Sequence, residues 1–189
     1  MSGAAIDLGP DIPVSRAEYR RWAEAQPGGR SERIDGMVVA MAPERRGHAK
    51  RKARIWLALH RAVQAAGLAC EVYPDGMTIE VDDSDFEPDA ILRCGDALTD
   101  DGIAIPDPMV VVEVLSPGTR SVDLSRKMVA YFRIPSVRHY LIVWADRPLV
   151  IHHRRRDGAE GIDTLVVTAG GIRLDPQGLS ISVEEIYAG

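Results

Sequence analysis

One carboxylate, Glu113, stands inside an apolar segment of the chain. The segment, residues 109–115, is short and rich in β-branched residues, and prolines lie on both sides of it, which predicts a strand buried on both faces. An ionised carboxylate buried there without a partner is costly or gives up its charge. A metal ion, a lysine or a structural hydrogen-bond network would each provide that partner, and the three alternatives imply different functions.

A second carboxylate, Asp89, follows Pro88 and precedes an apolar run that predicts the preceding strand of the sheet. Because neighbouring strands lie about 4.8 Å apart, we expect the Asp89 and Glu113 carboxylates to converge within about 6 Å. Two carboxylates repel each other, and a hard divalent cation such as Mg²⁺ relieves that repulsion. Such an ion can activate water and stabilise charge on a phosphoryl group. Taken alone, however, an Asp after Pro is equally well explained as a turn or a cap.

Two further candidates follow the Glu113 strand. Lys127 stands four residues after Asp123 in a predicted helix over residues 121–132, so both side chains share one helix face. Because this helix begins soon after the strand ends, Lys127 could reach back over the site; an ordinary surface ion pair is the alternative. Ser116, where the chain leaves the sheet, could bind a water or a phosphate, or simply form a turn.

Composition indicates one compact α/β domain without a membrane span. The 189 residues are 46% hydrophobic and 27% charged, as in ordinary globular proteins. The sequence shows no apolar run of about 18 residues and no signal-peptide pattern at its start, so we expect a cytoplasmic protein. Cys70 and Cys94 lack metal-ligand spacing, and we expect two reduced thiols and no zinc site.

The charge is unevenly distributed along the chain. A net charge of −5 argues against a high-affinity, non-specific nucleic-acid binder. Residues 44–61 are nevertheless strongly basic, and residues 75–107 are strongly acidic. A basic helix facing an acidic pocket suits an enzyme that holds a polyanion near a metal, although a solvated helix face would look the same. The candidate phosphate contacts on this helix are Lys50, Arg51 and Arg54.

The predicted elements form a mixed sheet flanked by helices, in one domain over residues 15–189 after a flexible arm over residues 1–14. The first helix starts at a capping box, and Asp35-Gly36 is the turn of a hairpin. No glycine-rich strand-to-helix turn could cradle a phosphate. The predicted helices cover residues 15–25, 47–66 and 121–132, the hairpin covers 33–41, and further strands cover 68–73, 77–81, 87–93, 138–145, 149–153, 164–168 and 179–183, with a polar turn at 82–85 and a loop at 95–108.

These residues carry a resemblance to a known family. Pro88-Asp89, the segment Val112-Glu113-Val114-Leu115-Ser116-Pro117, and the later Asp123, Lys127 and Tyr131 are similar to the Uma2 family of putative restriction endonucleases, within the PD-(D/E)XK nuclease superfamily. The resemblance covers roughly residues 15–185. It implies a restriction-endonuclease-like mixed sheet flanked by helices, and hydrolysis of DNA phosphodiesters that depends on Mg²⁺ or Mn²⁺.

The resemblance also implies roles for particular residues. Asp89 and Glu113 would be the metal ligands. The superfamily's usual lysine lies two residues after the acidic residue, where this chain has Leu115, so the lysine would be Lys127 from the following helix. Glu32 and His48 are secondary candidates, as an additional acidic ligand and a phosphate contact, or as a surface residue and a helix cap.

The leading hypothesis is therefore a metal-dependent endonuclease acting on DNA, and we expect a homodimer. One alternative is a nuclease-fold binding or assembly module with weak or no catalysis, which the net negative charge and the displaced lysine favour. Another is a small-molecule metal hydrolase, which the lack of a His-rich ligand set disfavours.

Overall fold

The structure, a computed structural model, describes residues 12–26, 30–115, 122–158 and 160–188. Its helices are α1 (Arg16–Ala25), α2 (Arg46–Ala66), α3 (Val122–Arg133) and α4 (Val183–Tyr187). Its strands are β1 (Ser31–Ile34), β2 (Met37–Ala40), β3 (Cys70–Pro74), β4 (Ile79–Val81), β5 (Ser84–Phe86), β6 (Ala90–Cys94), β7 (Val110–Leu115), β8 (His139–Trp144), β9 (Val150–Arg155), β10 (Ile162–Val167), β11 (Gly171–Leu174) and β12 (Leu179–Ser182).

The main sheet has the strand order β10-β9-β8-β7-β6-β3. Strands β7 and β8 are parallel, with α3 as the connection between them, and the other neighbours are antiparallel. Parallel neighbours need a long crossover, which α3 supplies. The predicted mixed sheet flanked by helices is therefore confirmed.

The central strand β7 is buried on both faces, as the apolar segment predicts. Val110, Val112 and Val114 pack in the core beneath α2, while Val111 and Leu115 pack in a second core with α3. Because successive side chains of a strand alternate between faces, Glu113 points to the α3 side. The sheet thus places the carboxylate against the helix that follows its own strand.

Helix α2 covers the other face of the sheet. Ile55, Leu59 and Val63 are buried in the core, and Gly67 ends the helix at φ 63°, a conformation that suits glycine. The predicted helix over residues 47–66 is confirmed to within one residue. Its N-terminal turns lie against the end of the sheet where β6 begins, next to Asp89.

A second sheet, with strand order β2-β1-β5-β4, packs on the α3 side. The predicted hairpin is confirmed: Asp35 and Gly36 both have positive φ, as a two-residue hairpin turn requires. The predicted polar turn over residues 82–85 is wrong in its second half, because Ser84 and Asp85 belong to β5. Asp85 forms a buried ion pair with Arg33, at 2.5 Å, and that long-range contact outweighs the low strand propensity of aspartate.

The expectation of two reduced thiols is also wrong, since Cys70 and Cys94 form a disulfide. The two residues are direct partners in the antiparallel ladder of β3 and β6. Directly opposed side chains on neighbouring strands are close enough to bond. The spacing of 24 residues in the sequence carries no information about this register.

Three earlier expectations fall wholly or partly outside the described residues: the arm over residues 1–11, Ser116, and the side chain of Asp123. Val14, at the end of the predicted arm, is buried, and its backbone N–H donates to Gly36 O. None of the helices in the described ranges is long and apolar enough to cross a membrane.

Candidate active site

Glu113 is met by two side chains from α3. Its Oε1 lies 3.1 Å from Lys127 Nζ and accepts a hydrogen bond from the Tyr131 hydroxyl at 2.9 Å. Lys127 and Tyr131 are four residues apart, so both project from one face of the helix. Of the partners considered for this carboxylate, the protein itself supplies a lysine and a hydrogen-bond donor.

Lys127 bridges two carboxylates. Its Nζ lies 2.9 Å from Glu32 Oε1, in addition to its contact with Glu113. Glu32 belongs to β1 of the smaller sheet, and the same Oε1 accepts the backbone N–H of Glu87 at 2.8 Å. Glu32 and Lys127 are each only 5% exposed, so this is a buried network that joins the two sheets through α3.

The electrostatic environment shifts the ionisation of Glu113. The pKa of its carboxyl is raised to about 8, chiefly by burial; Lys127 lowers this pKa, and the nearby Asp89 and Glu32 carboxylates raise it. Burial also raises the pKa of the Tyr131 hydroxyl, which therefore stays protonated and able to donate. A carboxyl with a raised pKa in a cluster of acids is a typical feature of a functional site.

Asp89 immediately precedes β6, at the point where β7 continues beyond its pairing with β6 while remaining paired with β8. Its Oδ2 accepts the backbone N–H of Val114 at 2.6 Å, and its own N–H donates to Val112 O. Ala90 pairs with Val112, so one further step of the register places Asp89 opposite Glu113. Burial raises the pKa of Asp89 also, against the lowering effect of its backbone hydrogen bond and of nearby cations.

Two residues of α2 approach Asp89 from the other side. His48 Nε2 lies 2.6 Å from Val114 O and 3.6 Å from Asp89 Oδ2, and its Nδ1 lies 3.0 Å from Glu44 Oε1. Lys52 Nζ lies 3.6 Å from Asp89 Oδ1. Because His48 and Lys52 are four residues apart, they share the helix face that looks onto the end of the sheet.

Lys52 is the centre of a second ion-pair cluster. Besides Asp89, its ammonium contacts Asp75 Oδ2, at 2.6 Å, and the Glu44 carboxylate. In the sequence analysis, Lys52 counted only within the basic segment and Asp75 only within the acidic segment, and neither had a place at the site. Tyr131 was noted only as part of the family pattern. The signal for Lys52 was its spacing of four from His48 and three from the core residue Ile55.

The donor set suits a hard divalent ion. Among the described residues, no hydrogen bond reaches Glu113 Oε2 or Asp89 Oδ1, although Lys52 Nζ lies 3.6 Å from the latter, so each carboxylate retains one oxygen that accepts no hydrogen bond. No group of three or more His, Cys, Asp or Glu side chains within the described ranges is arranged as a metal cage. Two carboxylates without a full cage correspond to the way Mg²⁺ binds, because Mg²⁺ keeps waters and takes phosphate oxygens as further ligands.

The three basic residues singled out on α2 have different surroundings. Arg51 donates to Ile186 O and to Ala145 O, at 3.3 Å for the latter, and its guanidinium lies 3.9 Å from the ring centre of Tyr187. These contacts tie α2 to α4. Lys50 is exposed and Arg54 half-buried, and neither forms an ion pair or a hydrogen bond with another residue in the described part of the chain.

The fold and this acidic, lysine-bearing site define a nuclease-like protein, and comparison with known proteins agrees. A family model described as "Uma2: Putative restriction endonuclease" matches residues 16–184, and the chain belongs to that family. The family assignment supports a nuclease-like function.

Two similar proteins extend the comparison. An uncharacterized protein from Synechocystis sp., slr1290, is 28% identical over 195 residues, covering 95% of this chain and 94% of that protein. The crystal structure of a putative nuclease belonging to DUF820 from Anabaena variabilis superimposes with a TM-score of 0.74 at 14% identity, over 93% of this chain and 98% of that one. At this identity, the second similarity supports the fold alone.

Proposed function

We propose that this protein is a metal-dependent endonuclease that hydrolyses phosphodiester bonds of DNA, with Asp89 and Glu113 as ligands of Mg²⁺ or Mn²⁺. The observation that carries the proposal is the meeting of Glu113 with Lys127 at the end of the central strand, next to Asp89. Of the residues in the family pattern, Glu113 comes from β7, Asp89 from the start of β6 and Lys127 from α3. The lysine arrives from α3 because Leu115, at the superfamily's usual position, packs into the core.

Each side chain has a role that follows from its contacts. When bound, the ion supplies Lewis-acid activation of water and charge neutralisation at the phosphate. Glu113 must be ionised to bind it, and the Lys127 ammonium favours that ionised form. Tyr131 fixes Glu113 Oε1, which leaves Oε2 for coordination. Lys127 also provides a positive charge beside the site that stabilises negative charge developing on the phosphate.

The second acidic residue is held in a similar way. The backbone N–H of Val114 fixes Asp89 Oδ2 and leaves Oδ1 for coordination. His48 orients this corner by bonding Val114 O, and Lys52 balances the charge of Asp89. Glu32 acts through Lys127, because its carboxylate holds the ammonium in place.

The DNA backbone is proposed to contact the exposed side of α2. Lys50 and Arg54 lie two turns or less from His48 and have no partner among the described residues, so they can neutralise phosphates and release counterions. Ser116 and Asp123 remain candidates for contacts beside the ion. A homodimer in the cytoplasm remains part of the proposal, since two sites would allow both strands to be cut.

One observation favours a second candidate, a nuclease-fold binding or assembly module without catalysis. Lys127 already pairs with Glu113 inside the protein, and this contact partly neutralises the carboxylate without any metal. The buried polar cluster argues against this second candidate. Replacement of a buried ion pair by apolar residues is often neutral or stabilising, so a protein without catalysis would gain nothing by keeping the cluster.

The two candidates differ in metal-dependent cleavage. Purified protein is incubated with supercoiled plasmid and Mg²⁺ or Mn²⁺ over a range of salt concentrations, beside Glu113→Gln and Lys127→Ala. Endonuclease activity predicts nicked or linear plasmid that depends on the metal and is lost in both variants. Equal cleavage by wild type and variants, or none in any condition, would overturn the nuclease assignment.

A further inference from the structure

A surface cavity of about 360 Å³ adjoins the candidate active site. Asp89 and Lys52 belong both to the site and to the wall of this cavity, so anything that enters the cavity lies beside a proposed metal ligand. The complete lining is Glu44, Ala49, Lys52, Ala53, Trp56, Pro74, Asp75 and Asp89.

Trp56 forms a fixed aromatic wall of the cavity. Its indole N–H donates to Val72 O at 2.9 Å, and His60 stacks on the ring with 4.9 Å between ring centres and 10° between planes. Because side chains four apart lie one above the other on a helix, His60 covers the side of the indole nearer the C-terminus of α2. Ala49 and Ala53 precede Trp56 on the same face, and their small side chains leave room beside the opposite side of the ring.

The charges at the cavity favour a neutral, flat group over a phosphate. Glu44 and Asp75 present carboxylates at the rim, and Lys52 is already engaged with both of them and with Asp89. A phosphate entering here would be repelled by three acids. The basic residues without a partner in the described ranges, Lys50 and Arg54, each follow one of the alanines by one residue, so they flank the cavity along α2.

We propose that this cavity takes up one unpaired base of the substrate strand, stacked on Trp56, while the phosphates on either side contact Lys50 and Arg54. The inference rests on the proposed nuclease function and specifies its substrate: DNA that is single-stranded or locally unpaired beside the bond to be cut. Stacking on an aromatic side chain accepts any base, because every base has a π-face.

The test compares two probes that carry the same charge. Binding of the full-length protein is measured by fluorescence anisotropy in EDTA, where metal-dependent cleavage does not proceed. The probes are oligothymidylate and an oligomer of equal length built from abasic nucleotides. Wild type is expected to bind oligothymidylate about 5- to 150-fold more tightly, the range for one base stacked on an aromatic residue.

Two variants fill the cavity without touching the core. Ala49→Leu and Ala53→Leu change exposed positions in its lining, and each is expected to remove the preference for oligothymidylate while leaving binding of the abasic oligomer unchanged. Ala65→Leu is the matched control, because Ala65 is exposed on the same helix and lies outside the lining. Circular dichroism verifies that all three variants are folded.

The outcomes separate this inference from the proposed function. Equal binding of both probes, or a preference that survives in both folded cavity variants, overturns base uptake even if the protein nicks plasmid. A base preference lost only in the cavity variants supports base uptake even if no nicking is seen, and the nuclease proposal then fails by itself. Absence of binding to either probe overturns the inference.

Discussion

Replacement of Lys127 by methionine removes the ammonium group between the buried Glu32 carboxylate and the largely buried Glu113 carboxylate, and keeps the length of the side chain. The ammonium lies 2.9 Å from Glu32 Oε1 and 3.1 Å from Glu113 Oε1. Two unit charges about 3 Å apart interact at about 5 kcal/mol for an effective dielectric constant of about 20. Desolvation of the ammonium offsets part of this, and removal of one partner from a buried pair typically costs about 3–5 kcal/mol. We expect a loss of that size in the free energy of unfolding at pH 8.

The loss should depend on pH in a defined direction. Lys127 lowers the pKa of Glu113, so its removal moves that pKa further above about 8. A carboxyl whose pKa is raised by folding stabilises the folded state at low pH, where it is protonated, and that contribution is lost as the pH rises. The unpaired carboxylates of the variant take up protons as the pH falls. The loss of free energy of unfolding relative to wild type should therefore be smaller at pH 6 than at pH 8.

The assay is urea unfolding in EDTA, followed by circular dichroism at pH 6 and pH 8. Lys50→Met is the matched control, since it removes an exposed lysine that has no ion pair in the described part of the chain. The double variant Lys127→Met with Glu113→Gln should recover much of the lost stability, because it removes one of the stranded charges. If Lys127→Met matches Lys50→Met at pH 8, or if its cost is the same at both pH values, the reasoning about the buried network is refuted.

Other substitutions test the remaining contacts. In metal-free wild type, the free energy of unfolding should fall by up to about 1.4 kcal/mol per pH unit between about pH 5 and pH 8, because folded Glu113 keeps a proton that the unfolded chain loses. Denaturant titrations of Glu113→Gln should show a free energy of unfolding that depends less on pH. Asp89→Asn keeps an acceptor for the Val114 N–H, so thermal unfolding should change little while plasmid nicking falls to the level of Glu113→Gln; retained nicking would remove Asp89 from the ligands. Arg51→Ala should lower the free energy of unfolding by about 1–3 kcal/mol with an unchanged salt dependence of DNA binding, whereas Lys50→Ala should keep stability and reduce the salt slope by about 0.9. The opposite pattern in paired denaturant and binding titrations would mean that Lys50, and not Arg51, serves the fold.

Local patterns were enough to predict the elements that carry the site. The β-branched run around Glu113 predicted β7, the apolar spacing and Gly67 predicted α2, and Asp35-Gly36 predicted the β1–β2 turn. These signals work because hydrophobic period and turn chemistry are properties of a few neighbouring residues. Ser84 and Asp85 were missed because serine and aspartate have little strand propensity; their strand is stabilised by a tight hairpin with β4 and by the long-range ion pair of Asp85 with Arg33.

Partners that come from distant parts of the chain could not be predicted in the same way. Glu32 is 95 residues from Lys127, and Lys52 is 37 residues before Asp89. Only the family resemblance pointed to Glu32, and only the spacing from His48 and Ile55 pointed to Lys52. The disulfide between Cys70 and Cys94 likewise depends on the register of two strands. Such contacts are set by how the sheets and helices pack, which leaves no periodic trace in the sequence.

The sequence by itself determined that Glu113 is an acid in a buried strand and that burial demands a partner, because the cost of desolvating a charge follows from local hydrophobicity. Only the tertiary structure decided which groups pair with this carboxylate. The alternation of β7 turns Glu113 toward α3, and the crossover geometry brings Lys127 and Tyr131 against it. The start of β6 places Asp89 against the Val114 N–H of β7, beyond the ladder between the two strands. The packing of α2 adds Lys52 and the aromatic cavity beside Asp89.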